Sequence, residues 1–218
     1  MISSDKSIVA KLLSFISLIA LSLNLVAQDS VPSFEEETVY IAQSLELMPG
    51  MTVADVGAGD GEYTVFLSDQ VGNSGKVYST EVQPDLVESI KLNVKGKQNV
   101  TVLMGAHEST NLPEQCCDRI LLRRVYHHFH HPGPMLNSLY TSLKPGGMIA
   151  VIDFLRAEHE VQRADATPDD HEHGVRPHHL IEEMEKVGFE MIRQVADWPS
   201  RISHGKATDF SMLFRKPV

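Results

Sequence analysis

The sequence predicts an α/β fold in which seven short strands alternate with helices. Three observations predict it. The mostly apolar run Met51–Val56 ends in Gly57-Ala58-Gly59-Asp60-Gly61, and a helical pattern begins at Glu62, so a buried strand, a glycine turn and a helix N-terminus follow one another directly. Four more runs of strand length follow in order: Lys76–Glu81, Asn99–Met104, Asp118–Val125 and Met148–Phe154. Two terminal strands, Phe189–Val195 and Thr208–Arg215, read as a hairpin at the sheet edge. At 218 residues and 42% apolar composition, with ordinary Pro and Gly content, the chain suits one α/β domain with a sizeable core.

The helices have local start and stop signals. Ser33 with Glu36 three residues on forms a capping box that opens a helix to about Leu47, and Pro49-Gly50 ends it. A second helix begins at Glu62, straight after the glycine turn. A helical stretch over Met135–Leu143 stops at Lys144-Pro145-Gly146-Gly147. Pro177 starts a last helix to about Lys186, with Gly188 after it. Arg156–Arg176 is polar and reads as a loop or lid.

The glycine turn points to a ligand. Glycines at 57, 59 and 61 let the backbone take positive φ and approach a bound molecule without a Cβ in the way. The free N–H groups of the following helix favour a negatively charged or carboxylate-bearing group beside them. The dinucleotide fingerprint needs its third glycine at the sixth position, where Glu62 stands, and a phosphate-cradling loop needs a Lys, which is missing between Met51 and Gly75. Glu81 ends the second strand 24 residues after Gly57, about where nucleoside-binding α/β folds place the acid that accepts hydrogen bonds from ribose hydroxyls.

The spacing D-x-G-x-G-x-G at Asp55, Gly57, Gly59 and Gly61, Glu81 at the end of the next strand, the run Tyr126-His127-His128-Phe129, and Leu143-Lys144-Pro145-Gly146-Gly147 before an apolar strand together resemble class I S-adenosylmethionine-dependent methyltransferases of the type 11 group, which includes the ubiquinone and menaquinone C-methyltransferases. The resemblance spans roughly residues 34–218, the expected methyltransferase domain. It implies a doubly wound, mostly parallel seven-stranded sheet of Rossmann-like type with the last strand antiparallel. It implies S-adenosylmethionine as cofactor and a small-molecule acceptor. It also places the cofactor on Asp55, Gly57, Gly59, Gly61, Glu81 and Glu108. Asp55 is expected to brace the glycine turn near the amino-acid end of the cofactor, and Glu108, with His107 as its rival, to meet the adenine amino group. In such enzymes the leading helix packs near the cofactor site, and the transferable methyl lies after the fourth strand. His127 is therefore the expected base or acceptor-orienting group, with His173 of the lid second. Arg123 and Arg124 are open to two readings: binding an acidic acceptor, or pairing with Asp118 or surface carboxylates.

Composition narrows the acceptor and the setting. The net charge of −10 disfavours a phosphate backbone as substrate, and no basic cluster with interleaved aromatics offsets it. The Asn/Asp-Pro-Pro-Tyr motif of base-amino methyltransferases is also missing. Residues 1–27 read as a signal peptide or, alternatively, an uncleaved membrane anchor: Lys6 and Lys11 precede the apolar run Leu12–Ala27, which as a helix reaches about 24 Å against the ~30 Å of a bilayer core. This segment would associate with a membrane and place the domain outside the cytoplasm, as an exported or anchored protein. Because S-adenosylmethionine is made inside cells, an exported cofactor-binding pseudoenzyme is a second reading.

The eleven histidines offer a third, a His-rich metal-binding protein, since eight of them fall in two groups at 127–131 and 171–179. Neighbouring histidines are expected to project in different directions, and no H-E-x-x-H or paired C-x-x-C accompanies them, so no metal ligand is assigned. Cys116 and Cys117 are adjacent, which makes a bond between them strained; Cys117 reads as a small buried hydrophobe, with a reactive thiol pair as the alternative.

Overall fold

A computed structural model describes residues 32–155, 174–199 and 209–218. The expected leader at 1–27 and His173 lie outside these residues. The described elements run α1 (Phe34–Ser44), β1 (Thr52–Val56), α2 (Glu62–Val71), β2 (Lys76–Glu81), α3 (Pro84–Asn93), β3 (Val100–Met104), β4 (Cys117–Arg123), a single 3-10 turn (Tyr126–His128), α4 (Pro132–Ser142), β5 (Leu143–Phe154), α5 (Pro177–Val187), β6 (Glu190–Val195) and β7 (Asp209–Arg215).

The strands form one sheet in the order β3-β2-β1-β4-β5-β7-β6. Pairings from β3 through β5 are parallel, and β7 runs antiparallel to both β5 and β6. This is the doubly wound arrangement expected from the sequence. The terminal pair is a hairpin in which β7, rather than β6, is inserted beside β5. Burial explains the choice: six of the seven β7 residues are buried, whereas β6 is mostly exposed and takes the edge. The strand order reverses between β1 and β4, and the crevice at the carboxyl ends of strands at such a switch point is where α/β sheets bind ligands.

Helices cover both faces over separate apolar clusters. On one side Leu136 and Leu139 of α4 and Leu180 and Met184 of α5 pack on Ile120, Leu122, Ile149 and Val151. On the other, Ile41 of α1 and Leu67 and Val71 of α2 pack on Val53, Val77 and Leu121. The capping box forms in full: Ser33 N–H donates to Glu36 Oε2 at 2.8 Å and Glu36 N–H donates to Ser33 Oγ at 3.2 Å.

β5 begins five residues earlier than its sequence pattern indicates. Leu143 pairs with Cys117, and the Gly146–Gly147 backbone exchanges hydrogen bonds with Lys216 at 2.9 Å each, so the Lys-Pro-Gly-Gly stretch is absorbed into the ladder rather than left as a turn. Gly147 is tight there: a Cβ would come within 2.7 Å of Leu143 Cδ2 and 2.8 Å of the Lys144 carbonyl oxygen. At the same end of the sheet, Cys117 is fully buried and its Sγ lies 2.8 Å from that of Cys116, with no disulfide between them.

Among the described residues no helix is long and apolar enough to cross a membrane.

Candidate active site

The glycine turn is built by strand pairing. As β1 ends, the Gly57 and Ala58 amides both donate to the Thr80 carbonyl of β2, at 2.9 and 3.1 Å, and Gly61 N–H closes on the Ala58 carbonyl at 2.9 Å. Each glycine has a different reason to be glycine. Gly57 has φ +71°, and a Cβ there would lie 2.3 Å from Val125 Cγ2. Gly61, at φ +89°, is the left-handed residue that opens α2 while its bare backbone packs on Ile90. Gly59, at φ +58°, would place a Cβ with nothing within 4 Å, so this part of the loop presents uncovered backbone to open space.

Glu81 is locked across that loop. Its side chain is 8% exposed; Oε2 accepts from the Gly59 amide at 3.1 Å, and Oε1 accepts from Val82 N–H at 2.7 Å and Gln83 N–H at 3.2 Å. A cavity of about 440 Å³ opens beside it, lined among others by Val56, Gly57, Val82, Ala106, His107 and Phe129. Its wall is mostly apolar, with the Glu81 carboxylate at the rim. Bare glycine backbone, a buried carboxylate and an apolar slot together suit a nucleoside: hydroxyls for Glu81 and a flat base for the slot.

Two of the cofactor residues named from sequence sit differently from expectation. Asp55 is buried, but it braces α2 rather than the turn: Thr64 Oγ1 donates to its Oδ2 at 2.6 Å and lies 2.8 Å from Ser79 Oγ, while the Thr80 carbonyl holds the turn. Burial pushes the Asp55 carboxyl up to about 6, against the lowering effect of the Thr64 hydrogen bond and of Arg123. Glu108 is exposed and does not line the cavity, whereas Ala106 and His107 do. The cause is a tight turn in which Ala106 N–H donates to the Ser109 carbonyl at 2.7 Å, which carries Glu108 away from the wall.

A second cavity, about 740 Å³, lies past the end of β4 and is lined by Tyr126, His127, His130, Arg176, His179 and Glu183 among others. Phe129 belongs to the walls of both cavities, and His128 belongs to the first. His127 is held firmly. Its Nδ1 is 2.8 Å from Asp153 Oδ1, and its backbone N–H donates to Asp153 Oδ2 at 3.2 Å. Asp153 is fully buried and also accepts from the Phe154 amide at 3.0 Å. The His127 ring meets the Phe154 ring edge-on at 4.8 Å and sits 3.9 Å from the His128 ring, centroid to centroid. The neighbouring rings thus lie closer than the expected divergence. Tyr126 donates its hydroxyl to Glu183, and burial drives that phenol well above its ordinary range. Among the described residues no three His, Cys, Asp or Glu side chains are placed to share a metal ion.

The two arginines are engaged inside the protein. Arg123 donates from Nε and Nη2 to the two oxygens of Glu37 at 2.8 Å each, and Arg124, strained at φ +53°, donates from Nη2 to Asp209 at 2.7 Å. Neither partner was the expected one: Asp118 instead takes Lys144 at 2.8 Å. Sequence reasoning missed Glu37 and Asp153. An isolated acid inside an apolar strand, Met148–Phe154, was the available signal for Asp153.

Comparison with known proteins agrees with this architecture. Residues 54–151 match the methyltransferase domain family. A ubiquinone/menaquinone biosynthesis C-methyltransferase of Shewanella sp. (strain W3-18-1) is 27% identical over 118 residues, 53% of this chain and 47% of that protein. A tRNA (adenine(58)-N(1))-methyltransferase of Thermus thermophilus is 29% identical over 121 residues, 54% of this chain and 46% of that protein. The chain therefore spans about half the length of the curated relatives it matches. Among solved structures, a SAM dependent methyltransferase from Aquifex aeolicus superposes with a TM-score of 0.66 at 28% identity, covering 82% of this chain and 89% of its own.

Proposed function

Because the chain belongs to the class I S-adenosylmethionine-dependent methyltransferases, we propose that it binds S-adenosylmethionine in the Glu81 cavity and transfers its methyl to a small-molecule acceptor in the neighbouring His127 cavity. The observation that carries this reading is the Glu81–Gly59 bond, which fixes a carboxylate at the rim of an apolar slot beside bare glycine backbone. When bound, the cofactor supplies a methyl already activated on a sulfonium. What the protein adds is placement: holding the acceptor in line with that methyl provides much of the rate. Gly57, Gly59 and Gly61 shape the floor, Glu81 takes the ribose hydroxyls, and Val82, Ala106, His107 and Phe129 enclose the base. Residues 1–27 lead the domain out of the cytoplasm on this reading, which fractionation of cells expressing the full chain tests directly.

Calorimetry with S-adenosylmethionine and S-adenosylhomocysteine tests the cofactor assignment. Binding of both is expected, with loss in Gly59→Arg, whose side chain would occupy open space beside the loop. Binding that survives this substitution unchanged would place the cofactor elsewhere.

A further inference from the structure

We propose that His127 and Asp153 act as a pair in which Asp153 positions His127 as the general base, so that the acceptor is a hydroxyl compound methylated on oxygen. This rests on the methyltransferase reading above. Three observations converge. Asp153 is wholly buried at the end of β5 and spends its oxygens on three donors: His127 Nδ1 at 2.8 Å, the His127 amide at 3.2 Å and the Phe154 amide at 3.0 Å. A carboxylate only accepts, so it holds the proton of the ring on Nδ1 and leaves a lone pair on Nε2. Nε2 has no hydrogen-bond partner among the described residues, and His127 lines the second cavity. Phe154 packs edge-on against the ring and limits its rotation.

That arrangement has a use only if the acceptor must lose a proton. A neutral tertiary amine or a thiolate attacks a sulfonium methyl without help, whereas a hydroxyl is a poor nucleophile until its proton is removed. In the step, the acceptor oxygen forms its bond to the methyl carbon as the carbon–sulfur bond breaks, the electron pair of that bond returns to sulfur, and the hydroxyl proton moves to His127 Nε2. The imidazolium so formed is stabilised by Asp153, as a buried carboxylate does for a catalytic histidine. His130, Arg176 and His179 stand around the same cavity, and among the described residues its one lining carboxylate, Glu183, is occupied by the Tyr126 hydroxyl. The walls thus accept a phenol or an enol more readily than a cationic amine.

The test uses the full chain and two readouts. Nitrogen NMR of the histidine-labelled protein is expected to find His127 as the Nδ1–H tautomer, and Asp153→Asn is expected to shift it. Methyl transfer from S-adenosylmethionine is then measured to phenol, thiophenol and aniline. Transfer to phenol oxygen is expected, with Asp153→Asn and His127→Gln each lowering kcat about 100-fold or more while the S-adenosylmethionine Kd stays within about twofold. An Nε2–H tautomer, or transfer to thiophenol or aniline that Asp153→Asn leaves intact, overturns the proposal while leaving the cofactor assignment standing. If none of the three is turned over, the tautomer decides alone. Loss of S-adenosylmethionine binding in the unaltered chain is a separate result and defeats the cofactor reading itself.

Discussion

Glu37 on the first helix and Arg123 at the end of the fourth strand meet as a two-pronged ion pair, Nε to Oε1 and Nη2 to Oε2 at 2.8 Å each, with both side chains buried. Tyr63 of α2 completes the group: its hydroxyl donates to Glu37 Oε2 at 2.8 Å, and the guanidinium lies 4.5 Å from the centre of its ring. The pair joins α1 to the carboxyl end of the sheet, beside the switch point. Removing one partner strands the other charge in the interior, which typically costs about 3–5 kcal/mol, whereas replacing both with apolar groups is often near neutral. Glu37→Ala is therefore expected to lower unfolding stability by that amount in urea titrations, and Glu37→Met with Arg123→Met to recover most of it. Equal losses in the single and double variants would mean the helix is held by other contacts.

The glycines separate packing from binding. Gly57→Ala adds a Cβ 2.3 Å from Val125 in a left-handed backbone, so conformational strain and overpacking combine; a loss of roughly 2–5 kcal/mol is expected, partly relieved by Val125→Ala. Gly59→Ala meets no atom and bears only the left-handed strain, about 1–2 kcal/mol. Thermal denaturation ranks the two, and an equal fall for both contradicts the packing argument.

Glu81→Ala is expected to weaken S-adenosylmethionine binding about 10- to 100-fold, since hydrogen bonds to a charged group are each worth about 1.5–3 kcal/mol. The Gly59 amide loses its acceptor in the same variant, so the loop becomes mobile as well. Glu108→Ala is expected to leave affinity unchanged, because that side chain is exposed and off the cavity wall. Calorimetry on both variants reads the contrast.

Asp55 makes stability depend on pH in a defined direction. Its carboxyl rises from the ordinary 3.8 to about 6 on folding, so between these values the native state holds a proton that the unfolded state has released. Stability from this group falls as pH rises through that window, by about 3 kcal/mol in total. Asp55→Asn mimics the protonated acid and removes the effect. The stability of the unaltered chain minus that of the variant is expected to fall between pH 4 and 6 and then level off; a flat difference excludes the assignment.

Much of the layout of the candidate site was legible along the chain. The glycine loop, Glu81 at a strand end and His127 after the fourth strand are each marked by position relative to a strand, and a strand's carboxyl end is a local property of its pattern. Glu108 lies off the cavity wall for an equally local reason, because the Ala106–Ser109 turn redirects one residue and the turn closes through backbone bonds that no residue type announces.

By itself, the sequence determined the alternation of strands and helices, the capped leading helix and the glycine loop between β1 and α2, since these follow from hydrophobic period, glycine φ and capping chemistry acting over a few residues. Only the tertiary structure decided the partners of the buried charges. Glu37 finds Arg123 86 positions away, Arg124 finds Asp209 85 away, and Asp153 finds His127 26 away. A buried charge must be paired, but which partner reaches it depends on the strand order and register that bring distant ends together. That is why His127 could be singled out from its place in the chain while Asp153, the residue that orients it, could not.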